Sequence, residues 1–281
     1  MTLDSLAALA KFLLYAGTLV GAGAALAWAT FREDLGEVGK DARRRIVGGA
    51  LVALAAALAG GVLLVMRLGG TLDGPMLSAV FGGPTGVVLF AQVGGAALLL
   101  ATAQGAAHRP LRLLGALLLP ASFGVTGHSA AFSPWAGGLA AFHLVAAAWW
   151  FGGLLFLRRA CRSLGPSELG ALVRRFSRLA FSVVSCLVAS GGVLVLALVS
   201  PTWEAWNTPY ARNLALKLAL AACALVAANV NRSRFVPRLS AGRPGAAESV
   251  ASAATFEIVA IVGVLAATAW LTTFHSPHGG H

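Results

Sequence analysis

The chain has 281 residues, of which 58% are hydrophobic and only 11% are charged, and its formal net charge at pH 7 is +11. A soluble core cannot absorb this much apolar surface, and long uncharged runs recur along the whole sequence. The composition therefore excludes a soluble globular protein and indicates an all-α, polytopic protein in a lipid bilayer. The basic residues form short clusters between the apolar runs, which is typical of orientation signals and not of a nucleic-acid partner.

Eight apolar runs are each close to the roughly 20 residues that cross about 30 Å of hydrocarbon. They predict a bundle of eight transmembrane helices at about 5–30, 46–66, 84–105, 111–131, 136–158, 176–199, 211–231 and 252–273. The first run has no basic stretch before it, so we expect a retained helix and not a cleaved signal peptide. Glycine pairs recur in the runs and favour close packing between helices.

Lysine and arginine alternate between the gaps that separate these runs. The first, third, fifth and seventh gaps hold 17 of the 21 basic residues. Because short loops rich in Lys and Arg stay in the cytoplasm, both termini are predicted to lie outside. Four tryptophans at the predicted outer boundary agree with this orientation: Trp135, Trp203, Trp206 and Trp270.

Two histidines lie at the outer side of the fourth and fifth runs. His128 lies in the uncharged break before the fifth run, and His143 lies inside that run. Ser133 and Pro134 have the pattern of an N-cap and a first-turn proline, so His143 is expected roughly 10 to 15 Å along the helix. Imidazole is the commonest ligand for copper and zinc, so the pair predicts a metal site. A structural hydrogen bond from His143 to a neighbouring helix is the open alternative.

The C-terminal tail carries three more histidines on the same predicted face, His275, His278 and His281. A short histidine-rich tract is a compositional signal for metal binding, so these residues are candidates for capturing the ion. The alternative is a polar chain end without a role.

Four residues elsewhere are further candidates, three of them as metal ligands and Glu257 for a role in transport. Met76, in the second and external gap, offers a thioether ligand. Cys186 and Cys223 lie at similar predicted depth in the sixth and seventh runs and are candidates for a thiolate pair that holds a soft ion, although cysteine is also an ordinary small membrane residue. Glu257 is predicted to lie a turn or two from the cytoplasmic start of the last run, within reach of the interface or an arginine.

Four patches in the second half of the chain resemble the copper resistance protein D (CopD) family, at 127–130, 143–153, 174–179 and 208–232. The similarity covers roughly 110–275 and divides the chain into an N-terminal part (1–110), a CopD-like region (111–275) and an external tail (276–281). It implies a non-enzymatic inner-membrane protein that assists copper uptake from the periplasmic side, with His128 and His143 as ligands. A periplasmic copper-binding protein is the implied partner.

Two other functions fit the same residues. One is a factor that delivers copper to a respiratory oxidase without transporting it, which transport assays in sealed vesicles would distinguish. The other is a redox protein, because membrane b-type haem is also held by histidines that project from helices. A Soret band in the isolated protein would support the haem alternative.

Overall fold

The structure is a computed structural model that describes residues 2–31, 36–104, 108–125, 132–198 and 208–274. Over these ranges the chain is helical and contains no strand. The α-helices are α1 (Leu3–Phe31), α2 (Gly36–Arg67), α3 (Gly74–Phe81), α4 (Pro84–Thr102), α5 (Arg109–Ala121), α6 (Pro134–Ala160), α7 (Pro166–Leu198), α8 (Pro209–Val230), α9 (Val236–Ser240) and α10 (Ala246–Phe274). A 3₁₀ turn (Ser122–Gly124) follows α5, and a π-helical segment (Asn231–Phe235) joins α8 to α9.

Seven helical segments in the described ranges are long and apolar enough to cross a membrane. They are α1, α2, α4, α6, α7, the continuous segment from α8 to α9, and α10. The protein is therefore a multi-pass membrane protein, as the composition predicts. The predicted fourth span corresponds to α5, whose 13 residues are fewer than a helix needs to span hydrocarbon by itself.

The helix ends define two ends of the bundle. An ion pair of 2.8 Å between Asp4 Oδ1 and Arg67 Nε joins the start of α1 to the end of α2. Lys11 Nζ donates a hydrogen bond of 2.8 Å to the carbonyl oxygen of Thr272, which joins the same end of α1 to the end of α10. The first and last described helices therefore have their outer termini at one end of the bundle, here called the histidine end.

The opposite end, here called the basic end, carries most of the arginines. Arg109 of α5 donates a hydrogen bond to the carbonyl oxygen of Ala29 at the end of α1, and Arg159 of α6 pairs with Glu37 at the start of α2. The prediction that the basic clusters lie in loops is wrong for most of them, because α2 begins at Gly36 and α7 begins at Pro166. The long stems of Lys and Arg cover apolar surface while the charged heads reach water, so the helices extend through these clusters.

Helix α1 lies in the centre of the bundle and packs against α2, α5, α6 and α10. Glycines allow the closest approaches: a Cβ at Gly23 of α1 or at Gly152 of α6 would overlap the backbone of the other helix, and Gly21 and Gly49 make a similar contact between α1 and α2. The predicted role of the glycine pairs in helix packing is confirmed at these positions. Because α1 contacts α6 and α10, residues from 1–110 and 111–275 form one bundle.

An aromatic cluster joins three helices on the half of the bundle nearer the basic end. Phe31 of α1, Trp149 and Phe156 of α6, and Phe176 of α7 have ring centroids 5.7 to 6.0 Å apart. The indole N–H of Trp149 donates a hydrogen bond of 3.0 Å to Thr30 Oγ1. The cluster fixes α7 against α6 and thereby positions the next residues of both helices toward the histidine end.

Candidate metal centre

The start of α6 determines how deep His143 lies. The Ser133 hydroxyl oxygen accepts a hydrogen bond of 3.3 Å from the backbone N–H of Ala136, and Pro134 occupies the first turn. The predicted N-cap is therefore confirmed. His143 lies nine residues after Pro134, about 14 Å along the helix axis from the histidine end.

His143 forms hydrogen bonds with the neighbouring helix α7. Its Nδ1 lies 3.1 Å from the carbonyl oxygen of Leu187 and 3.1 Å from the hydroxyl oxygen of Ser190. The Ser190 hydroxyl itself donates to the Leu187 carbonyl at 2.9 Å. A carbonyl oxygen only accepts, so the contact with Leu187 is a hydrogen bond when Nδ1 carries the hydrogen of the neutral imidazole.

This arrangement leaves the second ring nitrogen of His143 with a lone pair. A neutral imidazole protonated on Nδ1 is unprotonated on Nε2, which is the state that binds a metal ion. Nε2 has no hydrogen-bond partner in the ranges that the structure describes. Metal-binding histidines usually donate their other N–H to a carbonyl or carboxylate, which fixes the tautomer and the ring orientation. The contact with α7 is thus compatible with both interpretations of His143, the structural one and the ligand one.

Gly191 provides the space that the imidazole occupies. A Cβ at this position would lie 3.0 Å from His143 Cε1 and 3.4 Å from Nδ1, which is closer than ordinary packing allows. A Cβ at the adjacent Gly192 would meet no atom within 4 Å. Of this glycine pair, only Gly191 is required for the ring to lie against α7.

Lys217 of α8 lies close enough to His143 for the two side chains to interact electrostatically. It lies eight residues after Pro209, about 12 Å along α8 from its start, which matches the depth of His143 along α6. Thr208 caps α8 by accepting a hydrogen bond from the N–H of Ala211 at 3.2 Å. Lys217 makes no ion pair or hydrogen bond with another described residue, so its amino group lies beside the imidazole without a counter-charge from the described part of the chain.

Comparison with known proteins shows which part of the chain is related to a known family. The model of the family described as copper resistance protein D (CopD) matches residues 170–271. These residues are similar to the CopD family and are here called the CopD segment. No curated protein matches the chain, and no solved structure matches it. The predicted resemblance is confirmed over 170–271, about a third of the chain, and the match indicates a copper-handling membrane protein.

The CopD segment contains the environment of His143 but not His143 itself. It includes nearly all of α7, α8 and α10, and therefore Leu187, Ser190, Gly191 and Lys217. His143 lies 27 residues before the matched segment and reaches it through the hydrogen bonds to α7. The candidate centre is formed where the CopD segment meets α6.

The remaining predicted ligands are not brought together by the described structure. His128, His275, His278 and His281 lie outside the described residues. Cys186 and Cys223 are exposed on helices of the CopD segment that do not pack closely against each other. Met76 lies in α3, where its side chain covers Gly70. Within the described ranges no three or more His, Cys, Asp or Glu side chains form a group that could hold a metal ion.

Proposed function

We propose that this protein binds copper at the histidine end of the bundle and assists its uptake across the inner membrane from the external, periplasmic side. The observation that carries the proposal is the Nδ1 contact of His143 with Leu187, in a chain with a CopD segment. It orients the ring and favours the tautomer with the proton on Nδ1, in which Nε2 is available as a ligand. Copper is the cargo in this proposal, and a periplasmic copper-binding protein is the proposed donor.

The other proposed ligands belong to segments that adjoin helix ends at the histidine end. His128 precedes α6 by a few residues, and His275 and His278 follow α10, whose end is bonded to Lys11 at the histidine end. His281 extends the same tail. Copper binds imidazole nitrogen well in either common oxidation state, so histidines from separate segments are a suitable ligand set. In this proposal His128 and the tail receive the ion and His143 holds it within the outer part of the membrane.

We further propose eight membrane crossings with both termini outside. Helix α5 and the following 3₁₀ turn together extend about 25 Å, which is close to the hydrocarbon thickness. An even number of crossings agrees with the common end of the bundle at which α1 starts and α10 ends. The excess of arginine at the basic end supports a cytoplasmic location for that end.

A copper titration of the purified protein tests the site. We expect His143→Ala and His128→Ala each to weaken copper binding, whereas His108→Ala should bind like the wild type. His108 is a matched control because its side chain is exposed at the basic end, far from His143 along the bundle. Unchanged affinity in both His143→Ala and His128→Ala would contradict the site.

A transport assay distinguishes uptake from delivery. Sealed vesicles that contain the wild-type protein should accumulate copper, and those with His143→Ala should accumulate less. A protein that binds copper with the expected stoichiometry yet gives no accumulation would instead be a delivery factor. That result would contradict the proposed transport while leaving the copper site intact.

A further inference from the structure

A second polar site lies deeper in the bundle, toward the basic end. A cavity of about 550 Å³ lies between α6, α7, α8 and α10. Its wall is mostly apolar, but seven polar side chains also line it: Trp150, Ser177, Ser185, Asn229, Asn231, Arg232 and Glu257. We call it the Glu257 cavity. Ligand sites typically combine an apolar wall with a few convergent polar groups, so this cavity is a candidate site distinct from His143.

Glu257 lies deep in the bundle and not near a helix end. Helix α10 begins at Ala246, so Glu257 lies 11 residues into it, about 16 Å along the axis, and its exposed fraction is 1%. Glu257 therefore faces the interior of the bundle, and it forms no ion pair with an arginine in the described ranges.

The carboxyl group of Glu257 has neutral partners only. Asn231 Nδ2 lies 3.4 Å from Oε1, and the indole N–H of Trp150 also donates to the carboxyl group. Arg232 is the other charged residue that lines the Glu257 cavity, and it forms no ion pair with Glu257 in the described ranges. Its guanidinium lies instead over the ring of Phe181, 4.0 Å from the centroid.

Asn231 has an unused acceptor beside this carboxyl group. The side chain is 6% exposed, and its Oδ1 is buried without a hydrogen-bond donor in the part of the chain that is described. A half-turn of the amide exchanges Nδ2 and Oδ1, which brings the oxygen to the position now 3.4 Å from Oε1. Asn231 also begins the π-helical segment, a feature that is frequent at functional sites.

A proton on Glu257 satisfies both the carboxyl group and the Asn231 Oδ1 acceptor. An ionised carboxylate in hydrocarbon without a counter-charge is costly, and such groups usually become neutral. The protonated carboxyl group has one O–H donor, and Asn231 Oδ1 is a buried acceptor that needs one. Proton uptake therefore removes the uncompensated charge and supplies the missing hydrogen bond.

We propose that Glu257 and Asn231 form a proton-binding site in the Glu257 cavity. A proton from water binds one carboxyl oxygen, the resulting O–H donates to Asn231 Oδ1, and release returns the proton to water. The inference goes beyond the proposed copper function and does not depend on it, because no step involves copper.

The Glu257 cavity extends from the proton site toward His143. It reaches Val188 and Ala189, which lie between the two α7 residues that His143 contacts. On α6, Trp150 follows His143 by seven residues, about 10 Å along the same helical face. A proton on Glu257 is therefore separated from the imidazole by about two helical turns.

Infrared absorption spectroscopy of the copper-free protein in lipid nanodiscs tests this proposal. We expect a protonated carboxyl C=O band at neutral pH in the wild type and in Glu248→Gln, and its absence in Glu257→Gln. Glu248 is the matched control because it lies on α10 but is exposed at the helix start. Glutamine has the shape and neutral charge of the protonated acid, so Glu257→Gln is expected to fold.

A second variant makes the test independent of the folding of Glu257→Gln. In Asn231→Leu the acid loses its acceptor, so its C=O band should move to higher frequency and remain present. Absence of the band in the folded wild type at neutral pH, or its persistence in folded Glu257→Gln, would overturn the proposal. Because copper is absent throughout, neither result bears on the proposed copper site.

Discussion

The Nδ1 atom of His143 and the carbonyl oxygen of Leu187 lie 3.1 Å apart and connect α6 to α7 in the half of the bundle nearer the histidine end. Leu187 belongs to the CopD segment, whereas His143 does not. The hydrogen bond therefore joins the family-matched helices to the residue with the strongest case for binding copper.

Substitution of Gly191 is expected to disturb the imidazole without removing it. In Gly191→Ala the new methyl group would lie 3.0 Å from His143 Cε1, so the ring must shift and the Nδ1 contacts must lengthen. We expect copper affinity to fall by roughly 10-fold, the lower range for loss of an outer-shell partner. A competition titration measures this, and Gly192→Ala, whose methyl group meets no atom within 4 Å, should bind like the wild type. Equal effects of the two substitutions would contradict the contact.

Removal of the charge on Lys217 is expected to strengthen copper binding. Lys217 interacts electrostatically with His143, and its ammonium form would repel a cation bound there. Replacing it with glutamine should lower the Kd by about 5-fold or more, which corresponds to roughly 1 kcal/mol at the effective dielectric constants of proteins. The control is Arg212→Gln, because Arg212 lies on the same helix with an exposed side chain. Weaker binding in Lys217→Gln than in the control would indicate that Lys217 supports the site in another way.

The contact between α1 and α6 is expected to limit the stability of the bundle. Gly152→Ala forces a methyl group into the backbone of Gly23, so we expect a loss of roughly 1 to 3 kcal/mol or more in the free energy of unfolding. Gly48→Ala is the matched control, since a Cβ there meets nothing within 4 Å and alanine favours the helix by up to about 1 kcal/mol. Denaturant unfolding in lipid nanodiscs measures both. A neutral Gly152→Ala would show that the two helices separate without cost.

The proposed orientation predicts which ends of the bundle are accessible from outside the cell. In a cysteine-free background, a membrane-impermeant maleimide should label Leu72→Cys in intact cells, because Leu72 is exposed between α2 and α3. Ser163→Cys, which is exposed in the connection between α6 and α7, should react only after the membrane is opened. The reverse pattern would reverse the orientation, and labelling of both positions would require a different topology.

Much of the fold could be predicted because hydrocarbon imposes length and composition on each crossing. The helix start at Ser133 and Pro134 follows from local capping chemistry, and it gives the depth of His143 without any tertiary information. The span at α5 is harder to predict from the sequence, because this helix is short and a 3₁₀ turn continues it. The extents of α7 and α10 were also missed, since their first turns contain charged residues that a hydropathy criterion assigns to loops.

The partners of His143 could not be predicted, because they depend on which helix lies beside α6. Ser190 and Leu187 follow His143 by more than 40 residues, and no local pattern connects them. Lys217 could have been found from depth alone: Thr208 and Pro209 start α8 as Ser133 and Pro134 start α6, and the two side chains lie at nearly equal distances from those starts. Equal depth makes contact possible, whereas adjacency of the helices has to come from the structure.

The most direct measurement of the central claim is a copper-loaded structure with anomalous scattering recorded at the copper absorption edge. We expect an anomalous peak within bonding distance of His143 Nε2, with Nδ1 still directed at the Leu187 carbonyl oxygen. We also expect the peak to disappear in His143→Ala. Copper bound in the wild type at other residues, with no peak at His143, would contradict the proposed copper site.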